Sequence, residues 1–162
     1  MSNKPKSASS RKSAPDPLAA HRPSRDLDNG EAIDAFVDAF YARMLRDPRL
    51  APIFFDVAKI DLAIHLPRIK AYWRKMLLGD AAAYRGHMMA RHRAVDARRR
   101  LVADDYERWL SLFEQTLDSG FAGPGTDRAR ELGRRIAGNM RRNLSVTRVG
   151  HGSVTPKSSV SN

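Results

Sequence analysis

Two histidines, His65 and His92, stand in apolar stretches of a 162-residue chain that has no cysteine. Tyr41, Trp73 and Trp109 occupy apolar positions of the same kind. Imidazole, phenol and indole groups turned inward from short helices suit the wall of a ligand cavity better than a plain packed core, because each polar tip needs a partner. A neutral imidazole is a ready axial ligand for iron, which makes haem the candidate ligand.

His92 is the sharpest candidate for that ligation. It lies one turn after Met88 and Met89 on a short helical segment flanked by connectors. A ligating imidazole needs its second nitrogen held by a carbonyl or carboxylate. Arg91 beside it could pair with a propionate, since guanidinium matches carboxylate bidentately. His65, Tyr41 and Trp109 form a second group, drawn from three different helices. Their N–H and O–H groups would stabilise partial negative charge on a diatomic ligand. Alone, each of these residues is equally at home as packing at an apolar edge.

Other chemistries find little support. The absence of cysteine excludes disulfides, thiolate metal sites, iron–sulfur clusters and thioether-linked haem. The chain has no GxxxxGK[ST], HExxH or GxSxG motif. The glycine-rich GFAGPG falls between helices and not after a strand, which argues against dinucleotide binding. Asp104, Asp105 and Glu107 read as helix N-terminal charge, and Arg98, Arg99 and Arg100 as a solvated loop. No residue is assigned a catalytic role.

The elements that must position these groups follow from a helical period with little strand alternation. A first helix is expected from about Glu31 to Arg46, capped by Asp28 or Asn29 and stopped by Asp47-Pro48. A connector holds Phe54 and Phe55. A second helix runs from about Ile60 to Leu78 and ends at Gly79. The short His87–Ala94 segment follows, then a helix from about Ala103 to Ser119, and a last one capped by Thr126 and reaching about Leu144. This predicts an all-α domain of about five helices spanning 29–146. Residues 1–28 and 147–162 are polar and aperiodic, and are expected to be disordered tails.

The formal net charge is +11. Residues 1–28 hold six basic and three acidic groups, and 145–162 add Arg148 and Lys157, so about half the excess lies in the body. That field reads as diffuse, favouring weak contact with polyanions and no specific nucleic-acid recognition. No apolar run approaches the roughly 20 residues that cross a bilayer, and the N-terminus lacks the apolar core of a secretory signal. The expected location is the cytoplasm.

In order, AFYARMLRDPRLAPIFF, HLPRIKAYWRKMLLG, YRGHMMARHRAV and DDYERWLSLFEQTL resemble the truncated haemoglobins, most closely their third group, over roughly residues 31–144. The resemblance implies a two-over-two helical sandwich around haem b. It implies that His92 is the proximal iron ligand, His65 the distal histidine and Tyr41 the tyrosine of the second globin helix. It further implies that Phe54 (or Phe55) packs on the haem, that Trp73 is the tryptophan of the distal histidine's helix, and that Trp109 closes the distal pocket. Arg91 becomes a propionate partner. The arginine-rich VDARRRLVA, His87 where a proline is expected, and both tails depart from the family's pattern.

The leading reading is a globin that binds dioxygen and related diatomic ligands such as nitric oxide. A dense set of distal donors suits slow release, and so redox, nitrogen-oxide or peroxide chemistry or sensing rather than bulk oxygen transport. Turnover, left open here, would need a reductase that the sequence does not name. The competing reading is a haem-free helical module whose basic surface binds nucleic acid or an acidic partner.

Overall fold

The computed structural model describes residues 25–80 and 88–149. The arm through residue 24, His87 and its loop, and the tail from residue 150 lie outside the described residues. Five α-helices follow in order: α1 Gly30–Met44, α2 Leu62–Leu78, α3 Met88–Arg98, α4 Ala103–Asp118 and α5 Pro124–Val149. A wide π-type turn, Ile53–Val57, lies between α1 and α2. The described residues form no β-strand, only a single bridge between Arg25 and Phe121.

Helix α1 begins where the Asn29 side chain accepts the Ala32 N–H, and it buries Ile33, Phe36, Val37, Phe40, Tyr41 and Met44 at three- and four-residue spacing. That face is the centre of the molecule. Phe36 meets Trp73 of α2 and Phe113 of α4 edge-on, with ring centroids 6.2 and 5.0 Å apart. Phe40 meets Phe113 and Trp109 edge-on at 5.4 and 5.5 Å. Helix α1 thus packs on α2 and α4, and α4 packs on α5, which is the expected two-over-two arrangement. Asp34 receives the Arg74 guanidinium and Asp38 the Lys70 ammonium, lacing α1 to α2 outside the core.

Close approach of α5 to α4 depends on Gly133. A Cβ there would stand 2.6 Å from the Phe113 ring, so only glycine lets this ring lie flat against the α5 backbone.

Three boundaries differ from those read in the sequence. The fold begins before residue 29, because Leu27 is fully buried and the Asp26 carboxylate reaches across the chain to α5. Asp26 accepts the N–H groups of Gly125 and Thr126 and the Thr126 hydroxyl, at 3.0, 2.7 and 3.0 Å. The cap of α5 therefore comes from a residue about a hundred positions away, and Thr126 is a donor to it. Helix α3 continues through VDAR to Arg98, and α5 runs on to Val149.

Losing this remote cap should cost what helix caps cost, about 1–2 kcal/mol. Urea unfolding of Asp26→Ala should show that loss with an unchanged denaturant slope, and Asp28→Ala should lie within experimental error of the wild type.

Candidate functional site

A phenol in an apolar core must find a hydrogen-bond partner, and Tyr41, only 6% exposed, finds His65. Tyr41 Oη and His65 Nε2 lie 2.8 Å apart, joining the end of α1 to the first turn of α2. Asp61 starts that turn by accepting the Ala63 N–H. Burial raises the Tyr41 pKa, so the phenol keeps its proton. Burial also lowers the His65 pKa, and the charges of Arg91, His92 and Arg68 lower it further. Both groups are neutral at pH 7, and the bond forms in either of two ways. The phenol can donate to the imidazole; alternatively the imidazole N–H can donate to the phenol oxygen, leaving the O–H to a third group.

Around this pair the wall is aromatic. The π-type turn between α1 and α2 is closed by the Ala58 N–H to the Ile53 carbonyl, and Lys59 leaves it with φ of 51°. The wide turn sends consecutive side chains in different directions. Phe54 packs edge-on against Tyr41 at 6.1 Å, while Phe55 is 44% exposed. Of the two phenylalanines, Phe54 is the one at the site. Trp109 of α4 stacks on Phe113 at 5.2 Å and borders Phe40, the next residue to Tyr41. Trp73 lies elsewhere: it is buried in ring contact with Phe36, Tyr72 and Phe113, where it acts as a core residue.

Helix α3 brings His92 to the same space. Val95, one turn later, packs on the core, which turns the half-buried His92 inward as well. Helix α3 packs against the π-type turn and α5, and the positive charges of Arg91 and His92 act on His65. Arg68, three residues after His65, acts there too; sequence reasoning missed it, although its spacing puts it one turn along the same helix. Arg91 and Arg68 are both exposed, at the rim rather than in the interior.

Two buried carboxylates hold the walls in register. Asp105 accepts Arg49 Nε at 2.8 Å, Arg99 Nη1 at 3.1 Å and its own helix's Val102 N–H at 3.0 Å. It binds the connector before Phe54 to the segment after α3. Arg99 is thus drawn inward, unlike the solvated residue read from the sequence. Asp47 similarly accepts Arg108 and the backbone N–H groups of Arg49 and Leu50.

No family model matches the chain. Over 93 residues it is 29% identical to a protein described as group 3 truncated hemoglobin ctb of Campylobacter jejuni, a match covering 56% of this chain and 70% of that one. The crystal structure of the group III truncated hemoglobin from Campylobacter jejuni superposes with a TM-score of 0.65, at 24% identity, over 75% of this chain and 94% of that chain. The fold is that of a truncated haemoglobin. Both comparisons agree with the third-group resemblance drawn from the sequence. In the truncated-globin frame, α1 and α2 form one layer of the sandwich and α4 and α5 the other. Among the described residues no helix is long and apolar enough to cross a membrane.

Burial raises Asp47 and Asp105, but their arginine and backbone donors outweigh it and hold both below the ordinary 3.8. Such carboxylates take up protons more readily unfolded than folded. Their contribution is therefore whole above about pH 3.8 and is lost as pH falls through the lowered folded values. Asp105→Ala should cost roughly 1–3 kcal/mol at pH 7, since its arginines keep contact with solvent. The difference from wild type should shrink in urea titrations carried out below that pH.

Proposed function

We propose that this truncated-globin fold binds haem b and uses it to hold small diatomic ligands, dioxygen and nitric oxide among them. The observation that carries the reading is the Tyr41–His65 hydrogen bond, set in an aromatic wall, with His92 one turn before the core-packed Val95 on α3. The donor set fits haem. A porphyrin iron asks the protein for one neutral imidazole and leaves the rest of the cavity to be apolar. His92 is that imidazole, and Phe54, Phe40 and Trp109 supply apolar surface.

When bound, haem supplies an iron with a position open to a small ligand. His92 would hold it through the neutral ring, and the exposed Arg91 and Arg68 would supply guanidinium groups for its propionates. On the other side Tyr41 keeps its proton and His65 stays neutral, so each has an N–H or O–H to offer. When His65 donates to the phenol oxygen, Tyr41 is free to donate toward the ligand. The Trp109 indole, a donor only, adds a third polar tip from α4. Packing of Trp73 against Phe36 and Phe113 supports this wall from behind, which makes Trp73 a positioning residue.

Two donors toward one ligand, one from the Tyr41–His65 pair and one from the Trp109 indole, favour slow release. A hydrogen bond to a partly charged acceptor contributes about 1.5–3 kcal/mol, which corresponds to roughly ten- to hundredfold in rate. Redox or nitrogen-oxide chemistry or sensing fits such retention better than bulk transport, with electrons from a reductase. Haemin added to the purified protein should produce a Soret band, and dioxygen should leave Tyr41→Phe roughly ten- to hundredfold faster than wild type in stopped-flow displacement. A wild-type protein without a haem band would overturn the reading. Unchanged release in Tyr41→Phe would remove Tyr41 from the distal donors.

A further inference from the structure

We infer that the outer face of α3 is the docking surface for an acidic electron-carrier protein; this rests on the haem reading above. The inference comes from where the positive charge is left uncompensated. On α5, Arg130, Arg134 and Arg141 meet Asp118, Glu114 and Glu107 of α4 at 2.8, 2.6 and 3.9 Å. On α2, Lys70 and Arg74 meet Asp38 and Asp34 of α1. Arg49, Arg99 and Arg108 meet Asp105 and Asp47. The acidic groups of the helical sandwich are largely spent in this way.

Residues 88–100 are different. They hold five arginines and a single carboxylate, Asp96, which accepts the Leu101 N–H. Only Arg99 among the five is drawn into an ion pair of the described residues. Arg91, Arg93, Arg98 and Arg100 are exposed, Arg98 donating only to the Val57 carbonyl at 3.2 Å. The excess that looked diffuse along the sequence is concentrated, in the fold, on the helix that carries His92.

Such a patch attracts and orients an acidic protein, giving an on-rate that falls steeply with salt. The segment MMARHRAVDARRR interleaves no Phe, Tyr or Trp among its arginines, so it offers no stacking platform for a single-stranded nucleic acid. Its arginines flank His92 within about two turns, so a partner seated on them lies against the back of the ligating imidazole. That is where a one-electron donor is useful. One electron passes from the reduced carrier to the ferric haem, oxidising the carrier by one unit and reducing the iron to the ferrous state. An acidic iron–sulfur or flavin carrier supplies the electron.

The test uses the full chain loaded with haemin, its Soret band recorded first, and a plant-type ferredoxin as the acidic carrier. Calorimetry at low ionic strength compares R93E/R100E, on and just after α3, with R128E/R135E on α5, two exposed pairs carrying the same change of charge. The α3 double variant should bind ferredoxin about tenfold or more weakly and lose most of the salt dependence, with the α5 variant within about twofold of wild type. Reduction by ferredoxin should slow in parallel, while reduction by neutral lumiflavin semiquinone stays unchanged. Equal weakening in both variants would assign the effect to whole-molecule charge and overturn the surface. So would unaltered ferredoxin binding in the α3 variant, or an α3-dependent loss of binding to a DNA 20-mer with ferredoxin binding intact. A wild type with no Soret band overturns the haem reading itself, and that failure is seen before any carrier is added.

Discussion

The site depends on one requirement: a phenol buried at the end of α1 must be hydrogen-bonded, and the imidazole of His65 is what meets it. The bond fixes how the first turn of α2 faces α1. Because both partners are neutral, the bond can reverse direction at little cost, and with it the identity of the group that is free to donate. Phe54 and Phe40 border Tyr41, and Trp109 borders Phe40; Phe113 meets Phe40 edge-on and stacks on Trp109, and Trp73 packs on Phe36 and Phe113 behind them.

Charge plays two separate roles in this small sandwich. Inside, Asp47 and Asp105 gather arginines and backbone N–H groups to join irregular segments that carry few apolar contacts of their own. These are the connectors that present Phe54 and terminate α3. Outside, carboxylates of α1 and α4 pair with Lys70 and Arg74 of α2 and with Arg130, Arg134 and Arg141 of α5, whereas only Arg99 of residues 88–100 does so among the described residues. Helix α3 is held through Val95, Arg98 and Arg99, among other contacts. Its exposed arginines suit the proposed docking of a visiting protein.

Much of this was legible in the sequence, for identifiable reasons. The amphipathic period marks α1, α2 and α4 within a few residues, and Gly79 ends α2 in the left-handed conformation only glycine adopts freely. Tyr41, His65, Trp109 and His92 could be picked out because polar-tipped rings on apolar faces are conspicuous. The π-type turn could not, since a wide turn has no periodic signature, and the choice between Phe54 and Phe55 hangs on it. Nor could the Asp26 cap, because its helix lies about a hundred residues further along. The extension of α3 was hidden by its arginines, which read as loop until Asp105 is seen drawing Arg99 in. The charge distribution was equally invisible, as pairing between helices is a property of the fold and not of the order of residues.

The central claim is the division of labour between the two histidines, His92 toward the iron and His65 toward the ligand. Resonance Raman spectroscopy of the ferrous, haem-reconstituted protein tests it most directly through the iron–histidine stretching band. The account predicts that this band is present in the wild type, persists in His65→Ala and is lost in His92→Ala. A band that survives in His92→Ala and disappears in His65→Ala would contradict it.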